Sequence, residues 1–258
     1  MMEYLVICLF AFLASGLTFF SGFGLGTILL PVFAFFFPVE VAIALTAIVH
    51  FLTNLFKLTL IGKKANRFVL IKFGVPAFLF ALLGAYILTL IADSAPILMY
   101  SISGNIFYIT PVKLIIAVLL AIFALIDMVP SLKRIQVDQK YLPLGGSLSG
   151  FFGGLSGHQG ALRTAFLIRA NLSKEEFIAT GIVIAVIIDI SRLSVYAGEI
   201  LQLESTFNYP LLAAAVLAAF LGAFLGNKLL KKITIQKLQL SIGALLLIFS
   251  VLLGAGII

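Results

Sequence analysis

The sequence predicts an all-α, polytopic membrane protein whose two halves repeat one another in opposite orientations. Three observations support this class. Apolar residues make up 62% of the 258 residues, and the mean hydropathy is +1.23, whereas a soluble domain is nearer half apolar. The apolar residues form long uninterrupted runs, and most of the charged residues gather in short loops between them.

The composition excludes several classes of protein. Burying this much apolar surface in water would need a larger core than a chain of this length can enclose, so an ordinary soluble enzyme and a disordered chain are excluded. The single cysteine, Cys8, has no intramolecular partner, which excludes a disulfide scaffold. The net charge of +7 lies mainly in loops, so it indicates orientation in a lipid bilayer rather than binding to nucleic acid. The first residues lack the basic start of a signal peptide, and we expect them to be retained.

Ten apolar segments define about eight to ten membrane elements. Because the runs are continuous rather than alternating, they predict helices and not the strands of a barrel. Four segments are short or broken, and they form two pairs, each joined by a glycine-rich turn. In chain order the ten segments are 4–20, 24–37, 39–61, 68–91, 111–128, 142–156, 161–170, 177–198, 209–227 and 238–258.

The charged loops predict which ends of the helices share a side of the membrane. Thirteen of the seventeen basic residues fall in four loops: 62–72, 129–141, 169–176 and 228–237. The loops 92–110 and 199–208 contain no basic residue. The positive-inside rule places the first group in the cytoplasm and the second group outside. Both termini are then external, provided that each broken pair enters and returns.

An internal repeat divides the chain into residues 1–128 and 129–258. A shift of 135 residues superimposes similar residues, among them Ser21-Gly22 on Ser156-Gly157, Asn54 on Asp189 and Lys57 on Arg192. Each half has five elements, an odd number, so the second half is inverted relative to the first. Inverted repeats with broken helices are typical of transporters. A duplication in a membrane protein that transports nothing is the alternative.

The two glycine turns are candidate binding sites for an anion. A helix that starts after a break directs its free N–H groups and the positive end of its dipole toward the turn. Close packing between helices is the alternative explanation for the glycines. The candidate residues are Ser21, Gly22, Gly24 and Gly26 in the first turn, and Ser156, Gly157, His158, Gln159 and Gly160 in the second.

Several ionisable residues lie inside apolar segments, where they are costly and usually functional. His50, Asn54 and Lys57 share one helical face, and Asp189 and Arg192 occupy the matching helix of the second half. Lys57 and Arg192 could instead extend to the headgroups. Asp189 could simply pair with Arg192, and His50 could be a core histidine.

Arg163 follows the second glycine turn by three residues. A guanidinium group there suggests a fixed cation for an oxyanion. Pairing with Asp189, or extension to the cytoplasmic surface, is the alternative.

No catalytic residue set, metal-binding spacing or cofactor motif stands out, so we do not expect an enzyme. We expect transport to be driven by a gradient. The positive charge would come from Arg163, Lys57 and Arg192, and hydrogen bonds from Ser21, Ser156, Asn54 and Gln159. His50, His158 or Asp189 could couple transport to a proton.

The first glycine turn, with Gly22, Gly24, Gly26 and then Pro31, resembles the TauE/SafE family of bacterial sulfite-exporter and toluenesulfonate-uptake permeases. The resemblance covers most of the chain. It implies a multi-pass protein of the bacterial inner membrane that carries sulfite, an organosulfonate or a related small anion.

The second copy of the motif departs from the family pattern. His158 and Gln159 stand where the family has small residues, and Phe166 stands where the proline would fall, so the substrate can differ from sulfite. An anion channel, an intramembrane enzyme acting on a lipid or quinone, and a copper-binding assembly factor that uses His50 and His158 are the rival functions. The sequence leaves open whether the chain forms a homodimer.

Overall fold

A computed structural model describes residues 2–21, 25–129, 137–202, 208–229 and 235–258. The described residues are mostly helical, and each of the ten apolar segments corresponds to one helix. The helices are α1 (Met2–Ser21), α2 (Leu25–Ala34), α3 (Val39–Ile61), α4 (Arg67–Ala92), α5 (Pro111–Met128), α6 (Leu142–Ser156), α7 (Gly160–Leu167), α8 (Lys174–Gln202), α9 (Tyr209–Leu229) and α10 (Ile235–Gly254).

Four of these helices, α3, α4, α8 and α9, are long and apolar enough to cross a membrane. Helix α4 contains a π-helical turn at Leu70–Gly74. Pro76 follows that turn and offers no N–H group to the carbonyl of Lys72, so the regular helical ladder is interrupted where the helix widens.

The prediction of a purely helical chain is wrong for part of the loop 92–110. Strands β1 (Leu98–Ile102) and β2 (Asn105–Ile109) pair in an antiparallel hairpin. Ser103 and Gly104 form its two-residue turn, with φ angles of 52° and 85°. Positive φ at both positions is the geometry of the hairpin turn that matches strand twist. Two runs rich in apolar and aromatic residues, separated by Ser-Gly, were the signal that could have predicted it.

Two contacts join segments that are predicted to share a side of the membrane. Lys64, from the basic loop 62–72, forms an ion pair with Glu175 at the start of α8. On the opposite side the Tyr4 hydroxyl donates a 2.9 Å hydrogen bond to the side-chain oxygen of Asn208. These contacts agree with the predicted sides for the loops 62–72, 169–176 and 199–208, whereas much of the loops 129–141 and 228–237 lies outside the described residues.

Four extensively packed pairs of helices each join one helix from the first half to one from the second. The pairs are α4 with α6, α1 with α9, α5 with α10, and α3 with α8. The hydrophobic core consequently draws its side chains from both halves of the chain.

Glycines allow the backbones of α4 and α6 to touch. Gly146, Gly150 and Gly154 recur every four residues along α6, so they form one stripe on its surface. A methyl group added at any of the three would overlap a backbone carbonyl of α4: those of Phe73, Ala77 and Ala81. For these glycines helix packing is the explanation that the structure supports.

We expect Gly150→Ala to reduce the yield and thermal stability of the folded protein, because the added methyl group would overlap the Ala77 carbonyl. Overpacking of this kind costs about 1–3 kcal/mol. Gly198→Ala is the matched control, since a methyl group at Gly198 meets nothing within 4 Å. Thermal unfolding in detergent, followed by circular dichroism, compares the two; equal midpoints would contradict the close contact.

Candidate functional site

The second glycine turn reverses the direction of the chain. Gly157 caps α6 in the left-handed conformation, with φ of 79°, and its N–H group donates a 2.9 Å hydrogen bond to the carbonyl of Gly153. Helix α7 begins at Gly160 and runs back along α6, so that the ring of Phe166 lies against Gly145. The short pair 142–156 and 161–170 is therefore a helical hairpin that returns to the end from which it started.

The start of α2 lies beside this second turn. A methyl group added at Gly26 would be 3.8 Å from the carbonyl oxygen of Gly157 and 3.9 Å from Cδ2 of His50. The structure thus brings Gly26 of the first predicted turn next to the second turn. The other members of the first turn cannot be placed: Gly22 and Gly24 lie outside the described residues, as does the side chain of Ser21.

A buried carboxylate joins α3 to α8. Asp189 is completely buried. Its Oδ2 atom is 2.6 Å from Nδ1 of His50 and 3.4 Å from the amide nitrogen of Asn54. Its Oδ1 atom accepts a 3.0 Å hydrogen bond from Nε of Arg192. The pairing of Asp189 with Arg192, which the sequence analysis gave as the alternative to a functional role, is present, and His50 joins the same ionic group from the opposite half of the chain.

Lys57 and Arg192 are both buried, with only 4% and 1% of their surface exposed. Extension to the headgroups is therefore wrong for both residues. The guanidinium group of Arg192 lies against the second glycine turn, because a methyl group added at Gly157 would be only 2.6 Å from Nη1. Glycine at this position provides both the left-handed backbone and the space for the cation.

Arg163 extends from α7 toward the same region and is half-buried. Its Nη1 atom donates a 3.4 Å hydrogen bond to the side-chain oxygen of Gln159. Its Nε atom lies over Gly181 of α8, 3.4 Å from the position of an added methyl group. Arg163 also interacts electrostatically with Lys57 and Asp189, so the three predicted cations lie in one region.

The side chains of the turn itself are buried and partly bonded. The hydroxyl of Ser156 donates to the carbonyl of Phe152 over 3.0 Å, within its own helix. The ring of His158 stacks on Phe123, with centroids 5.9 Å apart and planes 5° apart. Nε2 of His158 and Nε2 of Gln159 are buried and have no hydrogen-bond partner among the described residues.

Lys57, Arg163, Arg192 and Asp189 form a charged cluster in which basic side chains outnumber the carboxylate. Two guanidinium groups share the one carboxylate of Asp189: Arg192 forms an ion pair with it, and Arg163 interacts with it electrostatically. Excess buried charge is costly unless a counter-ion compensates it. The charged cluster therefore has the electrostatic character of a binding site for an anion.

Sequence reasoning missed two residues that shape this region. Gly181 makes room for Arg163, and Thr46 lies beside Gly26, with its Cγ2 atom 3.5 Å from an added methyl group. The shift of 135 residues relates position 46 to position 181. That relation was the signal that could have found them.

No group of three or more His, Cys, Asp and Glu side chains in the described part of the chain could hold a metal ion. A separate cavity of about 480 Å³ lies between α1, α2 and α10, and its lining is apolar, with Phe10, Pro31 and Phe249 among the contributors. It contains none of the side chains of the charged cluster, so it does not offer the chemistry that an anion needs.

The family model described as "Sulfite exporter TauE/SafE" matches residues 7–253, nearly the whole chain. No match is found among curated proteins or among solved structures. The chain is therefore a multi-pass membrane protein of the sulfite exporter TauE/SafE family, whose members are transporters and not enzymes.

Proposed function

We propose that this chain is a secondary transporter that carries a small oxyanion of the sulfite and organosulfonate class across the inner membrane of a bacterium. The family supports the substrate class. The observation that carries the proposal is the position of two guanidinium groups, those of Arg192 and Arg163, beside the Gly157 turn, where both interact with the single carboxylate of Asp189. An entering anion would balance positive charge there and accept hydrogen bonds from the guanidinium groups of Arg163 and Arg192.

The proposed transport mechanism uses two inverted repeats, residues 1–128 and 129–258. The packing pairs support this division. A two-fold axis that relates α1–α5 to α6–α10 would exchange the pair α1 with α9 for the pair α4 with α6, and would map α3 with α8 and α5 with α10 onto themselves. Close glycine contacts occur in both of the pairs that this axis would exchange. Gly84 of α4 packs on the Phe151 carbonyl of α6, and Gly222 of α9 packs on the Phe12 carbonyl of α1.

In this mechanism the two helical hairpins, α1 with α2 and α6 with α7, alternately open the charged cluster to the two sides of the membrane. Gly26 and Gly157 lie where the hairpins approach one another. An anion bound there would contact residues from both halves, so its binding would depend on how the halves are arranged.

Purified protein in liposomes tests the proposal directly. We expect uptake of sulfite or methanesulfonate that saturates with concentration and is accelerated by the same anion on the opposite side. Flux that does not saturate and shows no counter-transport would indicate an anion channel instead. No flux of any sulfur anion by folded protein would contradict the proposed substrate class. The native mass of the same sample in detergent decides between a monomer and a homodimer.

We further propose that the His50–Asp189 pair couples transport to a proton. Histidine exchanges its proton near neutral pH, and this pair is buried at the contact between the two halves. In His50→Gln we expect an imposed pH gradient to lose most of its effect on uptake, while exchange of anion without a gradient continues. An unchanged response to the gradient would exclude His50 as the coupling group.

A further inference from the structure

The hydrogen bonds of His158 determine which of its ring nitrogens carries a proton. Nδ1 is 3.0 Å from the carbonyl oxygen of Ser156 and 3.2 Å from the hydroxyl oxygen of the same residue. That hydroxyl already donates its hydrogen to the Phe152 carbonyl. Both oxygens can therefore only accept from Nδ1, so Nδ1 bears the hydrogen. In the neutral ring, Nε2 is then an acceptor with a free lone pair.

This acceptor is buried and has no partner among the residues that the structure describes. The imidazole is held in place by the Ser156 carbonyl on one side and by the stacked ring of Phe123 on its face. A buried polar atom without a partner costs free energy that a bound ligand can recover. A ligand that satisfies this atom must supply a hydrogen to Nε2.

The neighbouring unpaired groups are donors. The side-chain oxygen of Gln159 accepts from Arg163, which can only donate, so the amide nitrogen of Gln159 is the atom left without a partner. Nη2 of Arg192 is 2.8 Å from Oδ1 of Asp189 but lacks hydrogen-bond alignment with it. The guanidinium group of Arg192 lies against Gly157, the residue before His158. The turn therefore contains one acceptor and one donor without a partner, Nε2 of His158 and the amide nitrogen of Gln159, and the cation of Arg192 lies against it.

We propose that this site selects a monovalent oxyanion that carries one hydroxyl hydrogen, and that Nε2 of His158 accepts the hydrogen bond from that hydroxyl. Gln159 and Arg192 donate to the remaining oxygens. The inference rests on the proposed transport function and narrows its substrate class to anions such as hydrogensulfite. An organosulfonate has only acceptor oxygens and would leave Nε2 unpaired, and a site built for a hydroxyl group discriminates strongly against a ligand without one.

The test compares hydrogensulfite with methanesulfinate, which carries a methyl group in place of the hydroxyl. Uptake of each anion into proteoliposomes is measured without a pH gradient, at a mildly acidic pH where hydrogensulfite is the main sulfite species. We expect the wild-type protein to prefer hydrogensulfite by about tenfold or more, the effect of one buried hydrogen bond. Wild-type protein that carries both anions equally well would overturn the inference.

The variant His158→Phe keeps a flat ring against Phe123 but removes the acceptor, and we expect it to lose most of the preference. His158→Gln supplies another acceptor and should retain part of it. Phe68→Leu changes an exposed ring at the start of α4, outside the site, and it should leave the preference intact. An unchanged preference in folded His158→Phe would assign His158 a packing role only. If folded wild-type protein carries neither anion, the proposed transport function itself fails, which distinguishes that failure from a lack of selectivity.

Discussion

Arg163→Ala is expected to reduce anion uptake by about 10- to 100-fold while the protein still folds. A charge-assisted hydrogen bond contributes about 1.5–3 kcal/mol, and Arg163 is one of the two guanidinium groups beside the turn where the anion is proposed to bind. Its hydrogen bond to Gln159 is long, at 3.4 Å, and its side chain is only half-buried. Removing it should therefore cost little stability. Initial uptake rates in proteoliposomes, normalised to inserted protein, measure the loss.

Two further variants make this result specific. Arg169→Ala removes an exposed arginine near the end of the same hairpin, and we expect wild-type uptake from it. Arg163→Lys keeps the positive charge but loses the planar pair of donors, so an intermediate rate is expected. Unaltered uptake by correctly folded Arg163→Ala would remove this residue from the binding site.

Asp189→Asn is expected to lower the stability of the protein severely. The carboxylate is completely buried and contacts His50, Asn54 and Arg192. The amide has nearly the same shape but no charge, so Arg192 would be left as a buried cation without its counter-ion. Breaking a buried ion pair in this way costs about 3–5 kcal/mol. Thermal unfolding in detergent by circular dichroism is the measurement, since the chain has no tryptophan to report by fluorescence.

The loss of stability should depend on the ion pair of Asp189 with Arg192 and not on the carboxylate alone. Asp189→Asn combined with Arg192→Met removes both charges, and we expect it to recover much of the stability but not the transport. Asp93→Asn changes an exposed carboxylate and should leave the midpoint unaltered. A single Asp189→Asn variant as stable as the wild type would show that Arg192 does not need the Asp189 carboxylate as its counter-ion.

The positions of the helices were predictable from sequence because each helix is a continuous apolar run. The predicted bounds 39–61, 111–128 and 142–156 agree with the structure residue for residue. The hairpin of β1 and β2 was not predicted, because its strands lie in a loop that was interpreted only by its charge. Its turn requires positive φ at Ser103, which sequence pattern alone indicates weakly.

The residues of the candidate site were predictable from the sequence, but the contacts between them across helices were not. The spacing of His50 and Asn54 on one helical face, and of Asp189 and Arg192 on another, follows from helical geometry. The 2.6 Å contact between His50 and Asp189 joins residues that are 139 positions apart. Such a contact depends on how α3 packs on α8, which no local pattern encodes.

The packing of helices from one half of the chain against helices from the other half has a consequence for biosynthesis. Helix α1 is made before the other described helices, yet its main partner is α9, which begins at Tyr209. During synthesis the face of α1 that later receives Gly222 and Gly226 must remain in the lipid without its partner while most of the chain is still being translated. Assembly of the first helix is therefore one of the last events in the maturation of the protein, and a ribosome that stalls before α9 would leave an unassembled chain for the quality-control proteases of the membrane.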